Sequence, residues 1–278
     1  MYSLLRKDKG ITLIELLVAL VISGILIGAI YHTFIGQQKT YTVQDQVVDM
    51  QQSVRGSINR MMREIRMAGF GNVSMLLPAP YGSGPGVTVN GKTYNDVVNL
   101  DTPVAGAVTI LLGVGSTTLT AVPASNQVTV SSLTDSEGNT LFDTGNRKYV
   151  SVGGVESYTI TNITGKTLTL SGNLTYNHSP GVLVYGIRAV SYQVNGTQTL
   201  LRDENTGAGA QAVADNIESL QFGYLDANGN PPAKNADIRV VQITLKARTG
   251  MSDAEYKTNG GYRERQISSE AHLKNMGL

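Results

Sequence analysis

Lys9-Gly10-Ile11-Thr12-Leu13-Ile14-Glu15 opens the stretch that decides the fold, and from Ile11 to Ile35 the chain reads ITLIELLVALVISGILIGAIYHTFI. Those 25 residues hold one acid, Glu15, and no Lys or Arg. About 20 apolar residues suffice to cross a bilayer as a helix. Immediately before them, Arg6, Lys7 and Lys9 outweigh Asp8, while the chain as a whole carries a formal charge of only +1. A small basic head before an apolar span stays on the cytoplasmic side, which puts the rest of the protein across the membrane.

A conventional secretory signal is cut after its apolar run, at small residues. Here the junction Gly10-Ile11 lies before the run, so cleavage there removes the basic leader and keeps the hydrophobic helix. The pattern resembles the type III signal of prepilins: a short basic leader, a Gly, then an apolar stretch with Glu at its fifth position. The family more often has Phe or Met where Ile11 stands. The resemblance implies cleavage after Gly10, N-methylation of Ile11, and pairing of Glu15 with the Ile11 amine of a neighbouring subunit as a filament forms. Physical chemistry gives such a pair a motive, because a carboxylate within the apolar region costs roughly 2.5–3.5 kcal/mol on insertion scales and is normally partnered. The alternative is a glutamate that snorkels to the interface and complements the helix dipole. Gly24 and Gly28 form a Gly-x-x-x-Gly spacing that lets two helix backbones approach, or that simply loosens the helix.

The helical pattern continues beyond the membrane. Val43, Val47, Met50, Val54, Ile58, Met61, Ile65 and Ala68 recur at spacings of three and four, with Gln37, Gln38, Gln44, Asp45, Gln51 and Gln52 opposite. No proline interrupts before Pro78, and Gly69 with Gly71 supplies a stop. The pattern predicts one helix of about 55 residues, roughly 80 Å long. Its first half (residues 11–35) is apolar all round, and its second half (36–71) is one-sided and suited to packing on a head. Arg55, Arg60, Arg63 and Arg66 form a solvated face that complements the helix C-terminus.

Residues 72–86 read as a Pro/Gly-rich connector, and 87–278 as a β-rich head. Strands are expected at Val87–Asn90, Val108–Val114, Leu119–Val122, Gln127–Leu133, Tyr149–Val152, Tyr158–Ile163, Thr167–Leu170, Val182–Val194, Gln198–Arg202, Ser219–Leu225, Arg239–Ala247 and Arg265–Leu273. Asn90-Gly91, Asn195-Gly196 and Asn228-Gly229 are hairpin-type turns, and Gly165-Lys166 closes another. Gln211–Glu218 is expected as a short helix or irregular turn. The fold class is therefore α+β, a long N-terminal helix on an antiparallel sheet.

Several segments carry a finer resemblance: Met62-Arg63-Glu64-Ile65-Arg66-Met67-Ala68-Gly69-Phe70-Gly71 at the helix end, Val190–Val194, Thr199-Leu200-Leu201-Arg202, Val213–Tyr224, Ile238–Arg248, Tyr262-Arg263 and His272–Asn275. Together they resemble PilW-type minor pilins and the related J-type pseudopilins of type II secretion. The likeness is strong over the first 71 residues and moderate over 185–275. The long stretch between favours the PilW type. The resemblance implies a type IV pilin fold and a structural role in starting or tipping a pilus. It implies other minor pilins, the major pilin, a prepilin peptidase and an inner-membrane assembly platform as partners. The implied location is the inner membrane, leader cytoplasmic and head periplasmic, and then the filament. A single-span sensor that is never cleaved is the competing reading from a different class.

Nothing in the sequence supports catalysis. There is no cysteine, hence no disulfide, thiolate metal site or thiol nucleophile. His32, His178 and His272 are far apart, and no His-x-x-x-His or Gly-x-Ser-x-Gly occurs. Asp226-x-Asn228-x-Asn230 and Asp135-Ser-Glu137-Gly-Asn139 resemble calcium loops only superficially, and tight hairpins explain them. With 22 basic against 21 acidic residues, no nucleic-acid partner is predicted, and neither a metal nor a cofactor is expected.

Overall fold

Uninterrupted helix-forming sequence from the membrane run to the first Gly turn yields one helix, α1, spanning Leu13–Arg66. A computed structural model of the chain describes residues 10–71, 73–78, 81–82, 84–100 and 106–276. The chain divides into two compact units, Met1–Asp49 and Met50–Leu278. Within the second unit, Met50, Val54, Ile58, Met61 and Ile65 are buried, which is the later part of the expected stripe. Arg63 and Arg66 lie in the last turn, where cations complement the exposed carbonyls.

Two glycines end the helix. Gly69 (φ +78°) and Gly71 (φ +79°) adopt the left-handed conformation that side chains resist. The turn they make docks on strand β4 (Val108–Thr118). Gly69 N–H donates to the Leu111 carbonyl at 2.9 Å, and Gly113 N–H donates to the Phe70 carbonyl at 2.8 Å. A Cβ on Gly69 would sit 2.7 Å from the Asn275 carbonyl oxygen, a backbone atom that cannot swing aside. Gly69→Ala therefore combines an unfavourable φ with a clash. We expect it to destabilise the head by about 2 kcal/mol, a fall of roughly 4–8 °C in Tm. Thermal unfolding of the detergent-solubilised chain checks this, and an unchanged Tm would contradict the docked turn.

Within the connector, Val73–Leu76 forms a 3-10 turn whose Leu76 is buried, as is Leu77. Thereafter the chain is antiparallel β. The remaining strands are β1 (Val87–Val89), β2 (Lys92–Tyr94), β3 (Val98–Leu100), β5 (Gln127–Thr129), β6 (Tyr149–Val152), β7 (Glu156–Thr164), β8 (Thr167–Leu170), β9 (Leu183–Val194), β10 (Leu200–Asp203), β11 (Gln211–Ala214), β12 (Ile217–Leu225), β13 (Val240–Arg248) and β14 (Glu264–His272). β1 and β2 form a small hairpin, and β12-β13-β14 form a separate three-stranded sheet. The other nine strands make one sheet, with order β11-β10-β9-β6-β7-β8-β5 and with β4 and β3 branching from β9. β9 organises it. β4 runs along one edge, from Val108 opposite Tyr192 to Thr118 opposite Leu183. The other edge is divided between β10, at Ser191–Val194, and β6, at Val184–Gly186.

Three expectations are corrected. Gln211–Ala214 is an edge strand, because Leu200–Arg202 offers it an unpaired ladder that outweighs the local preference for a turn. Leu119–Val122 forms only a bridge, Leu119 to Val130. Lys92–Tyr94 and Val98–Leu100 were not foreseen as strands. Asn90-Gly91 makes the expected two-residue turn, both residues at positive φ. The other Asn-Gly sites close differently. Asn195 N–H donates to the Thr199 carbonyl (3.0 Å) and Asp226 N–H to the Asn230 carbonyl (2.8 Å), leaving three-residue loops with Gln198 and Gly229 at positive φ.

Candidate functional site

At the start of α1 the sequence Thr12-Leu13-Ile14-Glu15 folds as a capping box. Thr12 N–H donates to Glu15 Oε2 at 2.8 Å, and the Thr12 hydroxyl donates to the same oxygen at 2.9 Å. Glu15 N–H returns a bond to Thr12 Oγ1 at 3.3 Å. Amide donors that a helix start leaves unpaired are thereby satisfied reciprocally. The signal was present in the sequence, as Thr-x-x-Glu before an apolar run, but reading Glu15 for its charge alone passed over it. Both side-chain bonds fall on Oε2. Among the described residues, Glu15 Oε1 has no partner within the cap, and Glu15 stands four residues after Ile11 in the chain. Such an oxygen can accept a cation from outside the chain while the cap stays intact.

Gly10 and Ile11 are exposed ahead of the helix. Arg6, Lys7 and Lys9 lie outside the described residues. From Leu13 (83% exposed) to Phe34, the large apolar side chains of the segment are all exposed. α1 is long and apolar enough to cross a membrane, and none of its most apolar window is buried within the chain. An apolar surface of that extent needs lipid or protein around it. A Cβ at Gly24 or Gly28 would meet nothing within 4 Å, so no described residue packs against that spacing.

The other end of α1 is locked by charge. Arg202, on β10 and 4% exposed in its side chain, straddles two carboxylates. Its Nε and Nη2 donate to Glu64 at 2.8–3.1 Å, and its Nη1 donates to Glu204 at 2.7 Å. Tyr192, fully buried on β9, donates its hydroxyl to Glu64 Oε2. Arg188 stands 3.6 Å from Glu204, and Arg60 is 3.8 Å from Glu64. Burial would lower the Arg202 pKa, but the hydrogen bonds to Glu64 and Glu204 outweigh it and hold it above the ordinary value. Burial would raise Glu204, but the Arg202 bond and the nearby Arg188 charge hold it below. Tyr192 is pushed upward by burial and by the Glu64 charge. Three of the segments quoted for the family resemblance, at Glu64, Tyr192 and Arg202, thus meet at one point. A fourth closes beside it, with Asn275 Nδ2 donating to the Ala68 carbonyl at 3.4 Å. Sequence reading had the segments but not their convergence.

The remaining candidates are structural in geometry. Asp226 Oδ1 accepts the amides of Asn228 and Asn230, both at 2.8 Å. Asp135 Oδ1 does the same for Glu137 and Asn139, and Asp143 Oδ1 for Gly145 and Arg147. In each loop, then, a side-chain oxygen caps its own turn. His178 is buried and bonded through Nε2 to Glu156, which also accepts from Tyr158 and from the Thr175 and Tyr176 amides. That cluster ties the loop 171–182 to the start of β7.

Residues 5–31 match the prokaryotic N-terminal methylation motif. No curated protein and no solved structure shows significant similarity to the chain. The motif belongs to the leader and first helix of type IV pilins and pseudopilins, and it supports a type IV pilin-like protein anchored in the inner membrane. The fold, one long apolar N-terminal helix followed by antiparallel sheet, is consistent with that class.

Proposed function

We propose that the chain is a minor pilin of the PilW type, made as a prepilin, cut after Gly10 and methylated on Ile11. It is a structural subunit without catalytic activity. It enters the inner membrane with its leader cytoplasmic and its head periplasmic, and then joins other minor pilins and the major pilin at the start or tip of a filament. A prepilin peptidase and an inner-membrane assembly platform act on it. The observation that carries the reading is the methylation motif at residues 5–31 leading into a helix that runs without a break to a β-rich head. The segments that resemble PilW proteins also converge where α1 meets the sheet, which is where a pilin head needs its helix fixed.

The mass of the mature N-terminus tests this, measured in cells with and without prepilin peptidase. A chain beginning at Ile11 only when the peptidase is present is the expected result, with methylation adding about 14 Da. A chain retaining its leader in both strains would instead favour a single-span sensor. A J-type pseudopilin would be cleaved in the same way. It is distinguished by where the protein is recovered: in sheared surface filaments for a pilin, or in the envelope of cells that lack pili for a pseudopilin.

A further inference from the structure

The geometry points to β14 as an assembly edge: a strand from the head of a neighbouring, different pilin-like subunit adds to it and extends the three-stranded sheet. The inference rests on the filament-subunit reading above. β14 pairs with β13 along its whole length, and no described residue pairs with its other edge. Which groups face that edge follows from two bonds. Leu273 N–H donates to the Arg239 carbonyl, and Thr249 N–H donates to the Arg263 carbonyl. Bonded pairs in an antiparallel ladder recur at every second residue. Residues 265, 267, 269 and 271 therefore turn their main chain toward β13. Glu264, Gln266, Ser268, Glu270 and His272 turn theirs outward, presenting a row of main-chain donors and acceptors about 30 Å long.

Exposed edges are ordinarily blunted by brevity, by Pro or Lys, or by a bulge. The outer strands of the large sheet are short, β11 having four residues and β5 three. β14 has nine, without Pro, Gly or Lys and with one exposed cation, Arg265, next to its first residue, and its register with β13 runs unbroken from Glu264 to His272. Its two carboxylates do not guard the edge either. Glu264 is drawn back to Lys246 at 2.9 Å, and Glu270 accepts from Gln242 at 2.9 Å, both across the sheet toward β13. From Gln266 onward the alternation is also open to continuation: Ile267 and Ser269 are half-buried and Ala271 buried, while Gln266, Ser268, Glu270 and His272 are exposed; Arg265, before them, is exposed as well. An incoming strand fits if it is apolar beside Ile267 and Ala271 and polar on the other face. Strand addition needs no pocket, because main-chain bonds supply the affinity. The pilin-type motif at residues 5–31 implies assembly with other pilins, which brings the head of another such subunit within reach of this edge.

The test uses the full chain in its native cells, with a benzophenone amino acid at Gln266 and mass-spectrometric identification of what it captures. The expected product is a different chain that bears a prepilin-type leader. Ser268→Pro should reduce its yield about tenfold, since it removes an outward N–H and sets a ring on the edge. Because that N–H does not face β13, the purified variant loses only the exposed Ser268–Thr244 hydroxyl contact (3.0 Å) and should melt within a few degrees of the wild type. Ser269→Pro, which breaks a bond to β13, should melt far lower. If Ser268→Pro itself unfolds, Gln266→Pro with the probe at Glu270 repeats the test. Capture of a second copy, capture of a protein without such a leader, no capture, or capture undiminished in a folded proline variant would each overturn the inference. Reading the N-terminus in the same cells separates the failures: a chain cut at Ile11 with no edge product sinks the edge alone, and an uncut chain sinks the filament reading.

Discussion

Arg202→Ala should cost the head about 3–5 kcal/mol, the range for breaking a buried ion pair by removing one partner. The size follows from what is left behind. Arg202 is nearly inaccessible and supplies four bonds to Glu64 and Glu204. Without it, two carboxylates remain at the helix–sheet junction, Glu64 keeping the Tyr192 hydroxyl and the two keeping, as cations, only the longer contacts from Arg60 and Arg188. Glu64 and Glu204 keep 20% and 28% side-chain exposure, so water offsets part of the loss and favours the lower end of the range. A fall of about 10 °C in Tm is expected for a head of this size. Glu204, held below its ordinary pKa, adds a pH signature. Its contribution is present above the usual glutamate range, near pH 4.3, and is lost as pH falls through its depressed folded value. The variant should therefore lose part of the wild-type acid sensitivity. A loss under about 1 kcal/mol would place the network with exposed surface bridges. Glu64→Gln combined with Arg202→Met should cost less than the two single changes summed, since the double variant no longer leaves Glu64 charged without its guanidinium, and Glu204 keeps Arg188 at 3.6 Å.

What the sequence disclosed depended on how local the information was. The helix is a local object: its apolar run, its stripe and its Gly stop all lie in consecutive residues, and the boundaries came within a few residues of Leu13–Arg66. β6 and β8 were legible for the same reason, as short alternating runs between turn residues. β11 was not, because Gln-Ala-Val-Ala has no strand pattern of its own and becomes a strand only by pairing with β10. The Arg202 network was hidden for a stronger reason. Glu64 and Arg202 are 138 residues apart, and neither differs in sequence from an ordinary surface charge. The capping box was the opposite case, local and readable. It was overlooked because Glu15 already had an explanation.

That double role makes Glu15 the most informative position in the chain. Glu15→Ala should leave membrane insertion intact, since removing a carboxylate from an apolar helix relieves a cost of roughly 2.5–3.5 kcal/mol. Incorporation into filaments should fall by about 10–100-fold, equivalent to losing a charge-assisted bond of roughly 1.5–3 kcal/mol. Immunoblots of sheared filaments against membranes measure the two fractions separately. Alanine alone cannot say why, because it also removes the acceptor that satisfies Thr12 N–H. Glutamine resolves this. It serves in a capping box nearly as well as glutamate but carries no charge. If the charge is what assembly uses, through the oxygen that the cap leaves open, Glu15→Gln should fail to assemble as Glu15→Ala does while keeping the helix start protected in hydrogen exchange. If Glu15→Gln assembles like the wild type, the cap is the whole role of the residue and no pairing with the Ile11 amine is needed.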